Sequence, residues 1–378
     1  MKIAIILPHF YPYVGGGEKM FYDLAKGLVK LGHEIHVVAR NVGEEYLGYR
    51  KIDGMEIWYC PWRSMFGHPL PKESDIEPHI LWCDIVHTSI FTTSPVVSRL
   101  ARKYHKASVL TIYEARGWKW YWADNFVRAT AFFLVEQYTC RRRFDRYHAI
   151  SDATKRDIER YMGKKNVIRV YLANEFGKTE NHSDFSLRGY FGLPEGSKIF
   201  LYYGRPGKTK GIHIYEQAVA KVKERIGTLS EQGVYFCFLL GKEPEDLRAA
   251  FIRKIQKDHL EDIVRIGDSV ERKDLEAAIR QADAVVVPSL TEGFGFSALE
   301  ASQIGTRLIY SDGGSLPEVA YGTCRSFQNR NPKDLADKLT AVIEEKEDAF
   351  LDVPEKKFTY EEMLNGIIRI YEEVAGSC

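Results

Sequence analysis

No stretch of about 18 uncharged apolar residues occurs in this chain, so the sequence predicts no membrane-spanning helix. A dominant charge is missing as well: 53 lysines and arginines stand against 52 acids, a formal net charge of +1. Without a global basic field, nucleic acid is not an expected partner. Cysteine is sparse, and Cys60, Cys83, Cys140, Cys237, Cys324 and Cys378 lie far apart with no C-x-x-C pair. That spacing excludes the common zinc sites and the small disulfide scaffold, and it suits a reduced cytoplasm. Tandem repeats and low-complexity tracts are absent too. The opening residues carry one charge and a run too short for a signal peptide, with no small-residue cleavage site after it. The expected location is therefore cytoplasmic.

What is present points to a globular α/β chain. With 378 residues, 45% hydrophobic and 28% charged, two domains are expected rather than one. Residues 3–7 form a continuous apolar run, as in a strand buried on both faces. A Pro- and Gly-rich loop follows, ending in Gly15-Gly16-Gly17. Apolar residues at Met20, Phe21, Leu24, Ala25, Leu28 and Leu31 then recur at helical spacing until Gly32. Residues 35–39 supply the next strand, and a strand, crossover helix and strand this close imply a parallel sheet. Further strands are expected at 84–87, 108–113, 147–150 and 167–172, with a helix over 152–162. A polar, broken stretch over 177–194 reads as an interdomain linker. A second series has strands at 198–203, 235–240, 263–266, 284–287 and 307–310, and an amphipathic helix over 360–374 closes the chain. Two doubly wound halves with a cleft between them follow, with ligands beyond the carboxyl ends of the strands.

Three loops at strand ends carry candidate chemistry. After the strand 284–287 come Glu292, Gly293, Phe294, Gly295, Phe296 and Glu300, the two glutamates separated by seven residues. A carboxylate can grip two hydroxyls of a polyol ring, and glycine backbone at a helix start can approach an anion. The competing reading is a plain helix start, since Ser297 and Glu300 have capping-box spacing. After the strand 198–203 comes Gly204-Arg205-Pro206-Gly207-Lys208-Thr209-Lys210-Gly211, three cations among three glycines. This could cradle a diphosphate or could be a solvated basic turn, and its spacing is not that of a Walker loop. The third loop is Gly15-Gly16-Gly17-Glu18, which lacks the G-x-G-x-x-G dinucleotide spacing.

Taken in order, these loops resemble glycosyltransferase family 4. Ile150-Ser151-Asp152, Gly313-Gly314 with Pro317-Glu318, and Phe358-Thr359-Tyr360-Glu361 extend the likeness over nearly the whole chain. The resemblance implies the GT-B fold: two facing Rossmann-like, doubly wound parallel-sheet domains with an interdomain cleft. It places an acceptor-side domain at 1–178 and a nucleotide-sugar domain at 179–358, with the helix 359–378 packing back on the first. It implies a retaining hexosyltransferase using a UDP- or GDP-sugar and a glycan or lipid-linked acceptor. Arg205 and Lys210 would hold the donor diphosphate. Glu292, with backbone from Gly293 to Phe296, would contact the sugar, and Glu300 the ribose. Gly15 and Gly16 would approach the phosphates or acceptor. No cofactor is expected, and no metal either, since no two aspartates stand two residues apart.

Two features depart from the family pattern or stand outside it. Tyr113 occupies the place of a usual histidine after Thr111-Ile112, and with His87 it is a candidate for sugar or acceptor contact. The segment 118–143, rich in Trp and Phe and ending in Arg141-Arg142-Arg143, reads either as a packed helix with a basic end or as a peripheral membrane contact. A GT-B nucleotide-sugar epimerase and a non-catalytic sugar-nucleotide binder are the alternative functions.

Overall fold

Residues 3–7 are apolar on both faces, and strand β1 (Lys2–Leu7) is buried on both, its apolar side chains at most 2% exposed. The structure is a computed structural model that describes residues 1–12, 15–65, 68–123, 125–174, 176, 177 and 183–376. The chain forms two compact units, Met1–Ala173 with Phe358–Cys378, and Asn174–Lys357. The expected boundary at 178/179 and the central part of the expected linker lie outside the described residues.

The first unit is built on an eight-stranded sheet. Its strands are β1, β2 (Glu34–Arg40), β3 (Gly48–Ile52), β4 (Met55–Cys60), β7 (Ile85–Ser89), β8 (Ala107–Ile112), β9 (Arg146–Ala149) and β10 (Val167–Arg169). A small separate hairpin, β5 (Arg63–Met65) and β6 (His68–Leu70), lies between β4 and β7 in the chain. The sheet order is β10-β9-β8-β7-β1-β2-β4-β3, parallel except at the β3–β4 edge. That edge is a hairpin closed by Asp53-Gly54, both at positive φ (49° and 82°). An Asp-Gly pair between two strands is a hairpin signal in its own right, and it marks a strand pair that apolar runs alone do not reveal.

The final helix, Tyr360–Ala375, belongs to this first unit. Thr359 and Glu362 cap it reciprocally, and Met363, Ile367, Ile370, Tyr371 and Val374 face inward. Tyr360 donates its hydroxyl proton to the Asp23 carbonyl oxygen of helix Gly16–Lys30. Tyr371 reaches a buried polar chain whose protons can be assigned. His148 Nε2 donates to the Val170 carbonyl (2.9 Å), so its Nδ1 accepts from the Thr111 hydroxyl (2.9 Å). Thr111 then accepts from His87 Nε2 (2.7 Å), and His87 Nδ1 accepts from the Tyr371 hydroxyl (2.7 Å). Burial pushes both histidines down, His148 to about 4, so both are neutral as this assignment requires. His87 is 0% exposed with both ring nitrogens engaged. The expectation that it contacts sugar or acceptor is therefore corrected: it ties the last helix to the sheet.

The second unit has seven strands, β11 (Lys198–Gly204), β12 (Val234–Leu240), β13 (Val264–Asp268), β14 (Ala284–Val287), β15 (Leu308–Ser311), β16 (Gly322–Phe327) and β17 (Leu351–Val353). The order is β13-β12-β11-β14-β15-β16-β17, parallel but for the last pair. Part of the expected linker is folded structure of this unit. Residues Leu187–Phe191 form a helix capped by Ser186, Leu187 is buried, and the Asp268 amide donates to the Tyr190 hydroxyl (2.9 Å). The five described cysteines are buried and unpaired.

One buried acid is expected to make this unit sensitive to pH. Glu216, on helix Ile212–Ile226, is 1% exposed, with Lys254 Nζ at 3.4 Å. Burial, then the neighbouring Asp258, pushes its carboxyl up from 4.5 to about 7, with Lys254 opposing. Below 4.5 the group is neutral folded or unfolded; as pH rises through 7 the folded state alone must hold a buried charge. Stability in chemical denaturation is therefore expected to fall between pH 4.5 and 7, and Glu216→Gln to remove that part of the fall. Identical pH slopes in the variant and the parent would refute the assignment.

Candidate active site

In the second unit the chain order reverses at β11, whose sheet neighbours are β12 on one side and β14 on the other. Open α/β sheets bind ligands at such a switch point, beyond the carboxyl ends of the strands. The loop 204–211 leaves β11 and the loop 288–295 leaves β14, side by side. They are tied by a backbone bond from the Leu290 amide to the Thr209 carbonyl (2.8 Å).

Across that tie Lys210 Nζ meets Glu292 Oε1 at 2.6 Å, the lysine side chain 35% exposed and the glutamate 14%. Ser289 Oγ donates to the same oxygen (2.9 Å). Both bonds converge on Oε1, which holds the carboxylate in one orientation. The turn 313–315 wraps the backbone behind it. The Ser315 amide and hydroxyl both donate to the Glu292 carbonyl (3.2 and 3.1 Å). Gly314, at φ 62°, lies so close that a Cβ there would come within 2.6 Å of the Glu292 amide nitrogen. Ser311 donates to the Ser289 carbonyl, and Asn329 Nδ2 to the Leu290 carbonyl (2.8 Å). Arg205 is exposed, and its carbonyl accepts from the Tyr202 hydroxyl (3.1 Å). Burial first, then the Glu292 charge, pushes the Tyr202 phenol up, while Arg205 opposes the shift.

Helix Phe296–Ile304 begins beyond this loop with Gly295 as its cap at φ 94° and no side-chain cap bond. The capping-box reading of Ser297 and Glu300 therefore fails. Glu300 lies one turn inside the helix and is held by side chains from elsewhere. Its Oε2 accepts from the Tyr203 hydroxyl (3.1 Å), whose proton also faces the Ser297 carbonyl (2.9 Å). Its Oε1 accepts from Asn174 Nδ2 (3.1 Å), while Asn174 Oδ1 accepts from Arg272 Nη2 (2.9 Å). Burial pushes the Glu300 carboxyl up, against Tyr203, Arg272 and Asn174. An ionised carboxylate has about four acceptor positions, so these two bonds orient it and leave capacity for a diol. Phe294 is 3% exposed with its ring against Phe296 (5.2 Å between centroids), so its side chain is packed inside the loop.

In the first unit, Gly15 caps helix Gly16–Lys30 after the loop leaving β1, again at a carboxyl end. Tyr113 follows β8, and its ring fills the space where a Gly17 side chain would stand, at 2.7 Å from an added Cβ. Burial pushes its phenol well up, with Glu18 adding to the shift. Thus Gly15, Gly16 and Tyr113 are gathered in one place, while His87 is withdrawn into the polar chain beneath the last helix. Among the described residues no cluster of His, Cys, Asp and Glu could hold a metal ion. Tyr203, Asn174, Arg272, Ser289, Ser315 and Asn329 are site residues that the sequence does not announce. Ser289 lies inside the motif and could have been found there; Asn174 and Arg272 carry no local signal.

Comparison with known proteins matches both units. Residues 14–171 match the family described as Glycosyltransferase Family 4, and residues 185–350 match Glycosyl transferases group 1. An uncharacterized glycosyltransferase of Methanocaldococcus jannaschii is 23% identical over 84% of this chain and 82% of its own length. One component of human phosphatidylinositol N-acetylglucosaminyltransferase is 22% identical over 94% of this chain and 71% of its own. In fold, the chain is similar to Anabaena HepE solved in complex with UDP-glucose. The TM-score is 0.69 at 16% identity, covering 100% of this chain and 99% of that one. With both halves matched and the switch-point loops arranged as described, the chain belongs to the family 4-like glycosyltransferases of GT-B fold.

Proposed function

We propose that this glycosyltransferase is a retaining, metal-independent enzyme that moves a hexosyl unit from a UDP- or GDP-sugar to a glycan or lipid-linked acceptor. The observation that carries the reading is the Lys210–Glu292 pair, 2.6 Å apart where the loops from β11 and β14 meet. A lysine and a carboxylate so placed match the two ends of a nucleotide-sugar, one anionic and one rich in hydroxyls.

In this reading Arg205 grips the pyrophosphate as a planar fork and Lys210 as a point charge. Both stabilise the negative charge that grows on the leaving phosphate as the sugar becomes oxocarbenium-like. Glu292, with the backbone of Gly293 to Phe296, accepts sugar hydroxyls. Glu300 clasps the ribose diol, steadied by Tyr203 and Asn174. Gly15, Gly16 and Tyr113 are the first unit's own candidates for contact with phosphate, acceptor or sugar. HepE is described with UDP-glucose and the human relative is named for phosphatidylinositol, which makes these the first donor and acceptor to try.

A thermal-shift screen against UDP-, GDP- and ADP-sugars tests the donor class. A donor at about 100 times its dissociation constant is expected to stabilise the fold by about 2.7 kcal/mol. Product NMR then reads retention at the anomeric carbon. No response to any nucleotide-sugar would sink the proposal, and donor isomerisation without acceptor would reassign the chain to epimerisation.

A further inference from the structure

The segment 117–143 takes no part in the candidate active site. A turn, Gly117–Lys119, leads through Trp120–Ala123 into a 15-residue helix, Phe126–Cys140, capped where Asn125 accepts from the Arg128 amide. A surface helix ordinarily turns its apolar stripe toward the core. Here the buried side is Ala129, Glu136, Thr139 and Cys140. The exposed side is Val127, Ala131, Leu134, Val135 and Tyr138, spaced i, i+4, i+7, i+8 and i+11 on one stripe. Val127 is 76% exposed, Phe126 75% and Leu134 59%, with Trp118 at 62% stacked on Phe133 beside them. Only one side of the helix is packed, and the other is a largely apolar, exposed stripe flanked by Arg128.

The charges identify what covers it. From 126 to 143 the chain has one acid, Glu136, which is 2% exposed and accepts from the amides of Arg116 (2.8 Å) and Gly117 (2.7 Å). Every other charge there is an arginine: Arg128, Arg141, Arg142 and Arg143. Arg142 lies over the Tyr138 ring at 3.8 Å, at the end of the stripe. Arg143 continues into an open basin of about 1020 Å³ that it lines with Arg102, Lys106, Lys164 and Lys165, where Asp145 is the one acid. Cations ending an apolar stripe are complementary to lipid phosphates above an acyl layer. No described helix is long and apolar enough to cross a bilayer, so this one would lie along it. We infer that the helix Phe126–Cys140 docks the protein onto an anionic membrane surface, with Val127, Leu134, Val135 and Tyr138 in the lipid boundary and Arg141–Arg143 at the phosphates. This docking is independent of which nucleotide-sugar the second unit takes.

The test is sedimentation of the full chain with phosphatidylcholine vesicles, with and without phosphatidylglycerol. Binding is expected on the anionic vesicles only, weakening with salt as the lipid field is screened. Leu134→Glu with Val135→Glu is expected to lower the partition at least tenfold, and Arg141→Ala with Arg143→Ala by about fivefold per cation. These positions are exposed, so both variants should melt with the parent. Should one fail to fold, the other still decides. Equal binding to neutral and anionic vesicles, or no loss in either variant, overturns the inference. So does a concentration-dependent dimer that the Leu134 and Val135 changes abolish without any vesicle binding, which would give the face to a second copy.

Discussion

Lys210→Ala is expected to lower turnover by about 10²–10³-fold, the scale of losing one pre-placed charge aimed at a developing anion. The residue does two things in the proposed reaction. It faces the diphosphate, and through its 2.6 Å bond it also fixes which way Glu292 points. Stability should change far less. The pair is partly solvated, with 35% of the lysine and 14% of the glutamate side chain exposed, and ion pairs near water contribute only about 0–1 kcal/mol. The two effects therefore separate in one pair of measurements: initial rates with a saturating donor, and melting without it. Arg205→Ala, which takes away the exposed guanidinium but no contact to Glu292, should weaken the donor-induced thermal shift while leaving the carboxylate in place. If Lys210→Ala melts like the parent and turns over at the parent's rate, the lysine belongs to a solvated turn and the phosphate assignment falls.

How far the sequence reveals such a site depends on where each partner comes from. The strands read well because parallel strands buried on both faces are nearly uninterrupted apolar runs: residues 198–203 and 284–287 coincide with β11 and β14 to within a residue. Strands that break this pattern read poorly. β3, with residues such as Arg50 and Lys51, and β16, with Arg325, lack that uniform burial, and the antiparallel β17 is three residues long. Only Asp53-Gly54 announces the first of these.

The same rule divides the site. Lys210 and Glu292 are recognisable because each lies in a glycine-marked loop directly after a core strand. The neighbours that orient Glu300 are not. Glu300 is positioned by Tyr203, at the end of a strand, and by Asn174, which Arg272 holds from 98 residues away. No spacing rule joins those positions; only the fold does. His87 shows the opposite failure. A histidine near a strand end looks functional in one dimension, but its two nitrogens are taken by a threonine 24 residues ahead and a tyrosine 284 residues ahead.

Glycines in the β11 loop look alike in the sequence, and the structure separates them by the largest stability effect expected here. Gly211 caps helix Ile212–Ile226 at φ 67°, and a Cβ at that position would run into the carbonyl oxygen of Pro288, the first residue after β14. Gly207, four residues earlier, has nothing within 4 Å of an added Cβ. For Gly211→Ala, the left-handed backbone alone costs about 1–2 kcal/mol, and the collision is with backbone, which cannot rotate away. A total of about 3 kcal/mol is expected, a fall of roughly 6–12 °C in melting temperature for a unit of this size. Gly207→Ala should stay within about 0.5 kcal/mol of the parent. Because the Pro288 carbonyl must retreat for the alanine to fit, the loop bearing Ser289 and Glu292 moves with it. The variant should therefore also lose its thermal response to the donor, at temperatures where it is still folded. Equal melting of the two glycine variants would mean that the β11 and β14 loops are not in contact at Gly211. The 2.6 Å approach of Lys210 to Glu292 would then have no scaffold beneath it.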